Sequence, residues 1–246
     1  MVHRESVSAP ATPLWGELRY SGELAMLLAD RSLHRSAPRA DAPPVLLIPG
    51  FMAGDASLGV MRRWLRRRGH PVANSGMLAN VGCAERTTAR LELTVRALAD
   101  EHSRRVVVVG QSRGGAIARA LAVRAPDSVG ALVMLGTPVS QPLAVSPHVL
   151  RTVRWVAWLG DLGVPSLFSR RCHEGDCCAD FRAQLSAPLA VHIKALAVHS
   201  RSDAIVDWRA CIDPHAQAVE VDSSHCGMSV HPAVYRSIEP LLEVTG

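Results

Sequence analysis

The sequence predicts an α/β fold: a mostly parallel sheet of about six strands with helices on both faces. Three observations carry this. Short, wholly apolar runs bounded by Pro or Gly recur along the chain, as strands buried on both faces require. Between them lie segments whose apolar residues return every three to four positions, the period of a half-buried helix. Hydrophobic residues make up 48% of the 246, with 18 glycines and 16 prolines spread among them, which suits one globular domain with a substantial core.

In chain order, residues 16 to 33 have apolar residues at helical spacing, and a polar, proline-rich connector follows. "VLLIPG" (45 to 50) predicts the first strand, 56 to 68 a helix, "PVANS" (71 to 75) a second strand and 85 to 103 a long helix. "RVVVVG" (105 to 110) is a third strand and Gly114 to Arg124 a helix. Strands at 129 to 138, 192 to 200 and 217 to 222 and a closing helix at 231 to 243 complete the alternation. The segment from about 140 to 190 contains no strand-like run and is expected to be an inserted helical cap, since long insertions in compact domains tend to be lids or binding loops. Its apolar helix, with Val149, Val153, Val156, Leu159, Trp155 and Trp158, reads either as such a lid or as a crossover packed on the sheet.

Composition excludes several functions. Aromatics are 4% of the chain and form no series on which bases stack, so no nucleic-acid partner is expected. The net charge of +5 is concentrated partly in "MRRWLRRRGH" (61 to 70); Met61, Trp64, Leu65 and Arg68 recur at helical spacing, which reads as a solvated amphipathic helix, or else as a face toward an anionic surface or substrate. No run approaches the roughly 18 apolar residues of a membrane span. The first residues, with an early acid and two prolines, do not read as a secretory signal, so a cytoplasmic protein is expected, or a secreted one if a signal has been removed. Six cysteines are too few for a disulfide framework. Cys172, Cys177 and Cys178, with His173, invite a zinc reading, but their spacing lacks two separated ligand pairs and no metal is expected. A disulfide anchoring the cap, to Cys211 for instance, and reduced packing thiols are the other readings.

The chemistry centres on Gly110-Gln111-Ser112-Arg113-Gly114, a G-x-S-x-G pattern between a buried strand and a helix. In that setting the serine occupies a strained turn at the carboxyl end of a central strand, and the two glycines remove side chains that would collide across it. The helix N-terminus and the amide of Arg113 are placed to stabilise an oxyanion. Serine is a poor nucleophile without a base held by an acid. Asp203 and His225 each follow a predicted strand, where open α/β sheets build their sites, and the order serine, aspartate, histidine is the expected one. Asp207 and Asp213 are rivals for the acid; His215 and His231 are rivals for the base.

These motifs resemble those of the α/β-hydrolases, bacterial lipases and esterases in particular, over roughly residues 40 to 246. The resemblance implies an α/β-hydrolase fold, Ser112 as nucleophile, Asp203 as acid and His225 as base, with no cofactor. It also implies a second oxyanion amide after an early strand, here at Phe51 in "IPGFMAGD". Pro49 stands where that loop usually has histidine, and Gln111 where histidine commonly precedes the nucleophile. Met52, Trp155 and Trp158 are the expected substrate contacts, and a small-molecule or lipid ester the expected substrate. An acyltransferase or thioesterase working on carrier-bound acyl groups is the alternative; no partner protein is indicated.

Overall fold

The computed structural model describes residues 10, 12–34 and 38–244. The sheet holds β1 (Val45–Ile48), β2 (Val72–Asn74), β3 (Val106–Gln111), β4 (Val129–Leu135), β5 (Lys194–His199) and β6 (Gln217–Glu220) in the order β2-β1-β3-β4-β5-β6. Every pairing is parallel, so the mostly parallel sheet of the sequence reading is wholly so among the described residues. The helices are α1 (Tyr20–Ala29), α2 (Arg31–His34), α3 (Gly59–Arg67), α4 (Ala84–His102), α5 (Arg113–Arg124), α6 (Pro147–Asp161), α7 (Arg171–Glu174), α8 (Ala179–Gln184) and α9 (Pro232–Val244).

Alternate side chains along each strand enter two cores, which is why the valine run of β3 is apolar throughout. Val106 and Val108 pack with Leu91 and Val95 of α4, Ile117 of α5 and Phe181 of α8. Val107 and Val109 face the other way, into Leu27 of α1, Met61 and Leu65 of α3, and Tyr235 and Ile238 of α9. Trp64 of α3 meets Tyr235 edge-on at 4.8 Å, while Arg68 covers its outer face at 4.3 Å. The amphipathic reading of the arginine-rich helix therefore holds: one stripe enters the core and Arg63, Arg66 and Arg67 line its outer surface.

The single helix expected over 16 to 33 is instead a 3-10 turn (Leu14–Arg19), α1 and α2. Asp30 makes the break, because its carboxylate accepts from the backbone N–H and hydroxyl of Ser32 and starts a new turn. Helices α6, α7 and α8 fill the segment between β4 and β5 where a cap was expected.

A fully buried ion pair binds α5 to what surrounds it. Arg119 Nε lies 2.8 Å from Asp213 Oδ2, and its other nitrogens donate to the carbonyls of Gln184 and Ala187 at the end of the cap. Truncating one member of such a pair strands a charge in the core at a cost of about 3–5 kcal/mol. Asp213→Ala is therefore expected to lower unfolding free energy by that order in urea titrations, whereas replacement of the exposed Asp41 should leave it nearly unchanged.

Candidate active site

The strand order decides where a site can form. From β1 the chain runs to one side to make β2, then crosses back to the other to make β3, leaving a crevice beyond the carboxyl ends of β1 and β3. Ser112 stands at that crevice as the one residue between β3 and α5, with φ +51° and ψ −124°. Its N–H donates to Leu135 O at 2.7 Å and its carbonyl accepts from Gly115 N at 2.9 Å, so the strained turn is clamped from both ends. The glycines are required by close approach: a Cβ on Gly110 would lie 2.3 Å from Gly114 O, and one on Gly114 would lie 2.3 Å from Ile48 O.

The loop after β1 passes so near that a Cβ on Gly50 would touch the Ser112 Cβ at 3.4 Å. Asn80 holds this loop by donating from Nδ2 to Pro49 O at 2.8 Å. Among the described residues, no acceptor meets the backbone N–H of Phe51 or of Arg113, and both residues line the same cavity as Ser112. The Arg113 side chain turns away, donating to Gly82 O and lying over the Phe168 ring at 4.9 Å; its burial lowers the guanidinium to about 10.

Asp203 and His225 come together although 21 residues of loop and strand separate them in the chain: His225 Nδ1 lies 2.6 Å from Asp203 Oδ2, and both are buried. The other carboxylate oxygen accepts from the N–H groups of Ile205 and Val206, both at 2.8 Å, which fixes the aspartate. Burial pushes the His225 imidazolium down, but the charge and hydrogen bond of Asp203, with help from Glu17, outweigh it and raise the group above its ordinary value. Each rival is engaged elsewhere. Asp207 caps the 3-10 helix Trp208–Cys211, Asp213 holds Arg119, and His231 accepts from Ala233 N at the start of α9. His215 donates its backbone N–H to Asp213. Beside His225, the Cys226 thiol is pushed up to about 12 by partial burial and then by the charge of Glu17, which leaves it no thiolate character.

Sequence reasoning missed the residues that hold the histidine loop. Glu17 accepts from the backbone N–H groups of His225 at 3.0 Å and Cys226 at 2.9 Å. Glu23 accepts from the N–H and hydroxyl of Ser224 at 2.7 and 2.6 Å, in the space a Cβ on Gly227 would occupy. From below, Gln111 Nε2 donates to His225 O at 3.0 Å, giving the residue before the serine a definite task. Only the burial of Glu23, a carboxylate on a helix that leaves Met26 and Leu28 exposed, marks this clamp, and sequence does not display burial.

Ser112, His225, Phe51 and Arg113 share a cavity of about 570 Å³ whose walls are mainly apolar, including Leu143, Val149, Val153, Phe168, Phe181 and Leu185. Three expected substrate contacts are not among its lining. Met52 turns out at the tip of the loop with φ +58° and is 53% exposed. Trp155 and Trp158 are 57% and 50% exposed. At 3.6 residues per turn they lie about 200° and about 140° round α6 from the cavity-lining Val153. Neither packs on the sheet or lines this cavity; Val149 and Val153 face inward, with Val156 and Ala157 buried behind.

The cysteines also differ from expectation. Cys211 is buried against Asp207 O, away from the cap trio. Cys172, Cys177 and Cys178 meet Cys83, the residue before α4, with all four sulfurs within 4.8 Å of one another. The side chain of His173 lies outside the described residues. An alcohol on a strained turn, an imidazole held by an anion and backbone amides without a protein acceptor are the groups that acyl transfer uses.

The family profile described as "alpha/beta hydrolase fold" matches residues 98–161, the span from the end of α4 through the serine turn to the end of α6. No curated protein matches the sequence. Among solved structures, a Bacillus licheniformis lipase, BlEst2 in its mature form, is similar with a TM-score of 0.63 at 17% identity, over 83% of this chain and 94% of that one. A putative aryl esterase from Burkholderia cenocepacia gives 0.58 at 16%, over 85% and 93%. A monoacylglycerol lipase from Paleococcus ferrophilus gives 0.57 at 14%, over 85% and 96%. The chain has the α/β-hydrolase fold. No helix among the described residues is long and apolar enough to cross a membrane.

The opposing influences on His225 make a direct test. Its imidazole, followed by NMR, should titrate above 6.5 in the native protein, and in Asp203→Asn should fall below 6.5, because burial then acts with little to oppose it. A titration unmoved by that substitution would show that the pair is not coupled.

Proposed function

Starting from that fold, we propose that the protein is a serine hydrolase of carboxylic esters, an esterase or lipase acting through an acyl-enzyme. The observation that carries this reading is Ser112, held at φ +51° over the carboxyl end of β3, in one apolar cavity with a histidine that Asp203 fixes at 2.6 Å. His225 takes the proton of Ser112 as its oxygen attacks the ester carbonyl. Asp203 takes the Nδ1 side of the ring, which leaves Nε2 as the proton acceptor, and it stabilises the imidazolium that forms. The amides of Phe51 and Arg113 receive the negative charge; each such donor typically contributes 10²–10³ in turnover. The imidazolium then protonates the departing alcohol, and water, activated by the same histidine, releases the acid.

The walls set by Val149, Val153, Phe181 and Leu185 suit an aliphatic or aryl acyl group rather than a charged one. The lipase and esterase names of the similar structures support the reaction class.

Ser112→Ala is expected to lower turnover of p-nitrophenyl esters by roughly 10⁴–10⁶ with an unchanged circular dichroism spectrum. Asp203→Asn should cost about 10⁴, whereas Asp207→Asn should act mainly through stability. A well-folded Ser112→Ala protein that keeps most of its activity would sink this proposal.

The cavity gives a second test, in chain length. Each buried methylene contributes about 0.8 kcal/mol, so Val153→Trp, which fills the inner wall, should cut efficiency on long-chain esters much more than on acetate. Trp158→Ala, on the outer face, should leave soluble esters of either length nearly unaffected. The opposite pattern would place the acyl path on the other side of α6.

A further inference from the structure

The ester-hydrolase reading uses none of the four cysteines gathered at the rim of the cavity. We propose that Cys83, Cys172, Cys177 and Cys178 form a tetrahedral all-thiolate site for one zinc ion, which staples the cap to the start of α4. This inference does not rest on the ester-hydrolase reading.

The geometry is that of a coordination shell. Cys83 Sγ lies 3.5 Å from Cys177 Sγ and 3.6 Å from Cys178 Sγ; Cys177 Sγ lies 3.6 Å from Cys172 Sγ and 3.9 Å from Cys178 Sγ. Four sulfurs each about 2.3 Å from a central zinc sit about 3.8 Å apart at the corners of a tetrahedron. Disulfides divide cysteines into pairs about 2.0 Å apart. Here Cys177 has three near neighbours at almost equal distance, and all four cysteines are free. Oxygen-seeking cations such as magnesium and calcium have no ligand in this set, whereas four soft thiolates in a tetrahedron select zinc.

The surroundings suit the charge. Four thiolates around Zn²⁺ leave a net −2, and loading releases the thiol protons to solvent. Cys83 is the residue immediately before the 19-residue helix α4, so the positive end of that helix lies beside the sulfurs. The guanidinium of Arg113 is within electrostatic reach of Cys178, Cys172 and Cys83. Arg182 fixes the far side of the cap turn, donating to Cys172 O at 3.3 Å and Gly175 O at 2.8 Å.

The elements that supply three of the ligands need such a fastening. α7 has four residues and the 3-10 turn Asp176–Cys178 has three, too short to persist as isolated helices. Cys172 and Ala84 both line the cavity, so a metal tying their segments together would fix one wall of it. Sequence spacing concealed the site because the fourth ligand, Cys83, comes from a separate element far upstream and the remaining three are not in two pairs.

The full chain, purified without chelator from zinc-supplemented cells, is expected to carry one zinc per chain by mass spectrometry of the metal. Exchange for Co²⁺ should give intense visible d–d bands with near-ultraviolet thiolate charge transfer, the signature of tetrahedral cobalt on sulfur. Cys177→Ser, at an exposed position that disturbs no core, should lose most of the metal and that spectrum, while Cys211→Ala keeps both. A chelator should open the cap near residues 171–178 to proteases in the native protein and have no further effect in Cys177→Ser. A zinc-free protein with all four thiols reactive, a mass deficit showing disulfides among them, or zinc content unaltered by Cys177→Ser would each overturn the proposal.

Discussion

One strained residue organises the rest of the molecule. For Ser112 to hold φ +51° between β3 and α5, at a cost of order 1–3 kcal/mol, strand and helix must approach until only hydrogen atoms fit between them. Gly110, Gly114 and Gly115 meet that demand, the last against Thr137, whose Oγ1 would lie 1.9 Å from an added Cβ. The tight junction also seats the first turn of α5 against the end of β1, where an added Cβ on Gly114 would meet Ile48 O and Pro49 O. β3 can bear this strain because its residues are buried on both faces and it pairs along its length with β1 and β4.

The second constraint is electrostatic. A buried histidine loses its charged form to desolvation, and a base must accept a proton to work. Asp203 supplies the compensating charge at 2.6 Å, and Glu17 and Glu23 add two carboxylates that grip the backbone of the same loop. Those two sit on the N-terminal helical segment, far from β6 in sequence. That segment, which contributes no strand, thereby becomes part of the site: it fixes the loop through N–H groups that no regular element satisfies.

What the sequence disclosed follows from the range of each signal. Strands such as β3, helices such as α4, and the turn at Ser112 are written in adjacent residues, and chain order pointed to Asp203 and His225. The clamp of Glu17 and Glu23, the partnership of Gln111 with His225 O and the meeting of Cys83 with the cap cysteines are tertiary. They join segments whose local patterns are unremarkable. The tryptophans of α6 were misjudged for a different reason. Their apolar character grouped them with Val149 and Val153, but helical phase, rather than hydrophobicity, decides which side faces the cavity.

The segment between β4 and β5 is held by packing and by polar links together. Among the described residues, Val156, Ala157 and Phe168 form a small apolar cluster of their own, while Cys178, Phe181 and Leu185 join the main core beside α4 and α5. Polar links add to this packing at its later half: Arg119 binds the carbonyls of Gln184 and Ala187, Arg124 binds Gln184 Oε1 at 2.8 Å, and Arg182 binds the α7 turn. Two of these arginines lie on α5, the helix that follows Ser112. Arg113 extends the same logic, since it lines the cavity while its side chain reaches Gly82, the neighbour of Cys83. The helix that follows Ser112, the segment between β4 and β5 and the loop that carries Cys83 are therefore joined through the arginines of α5, by hydrogen bonds rather than by packing alone.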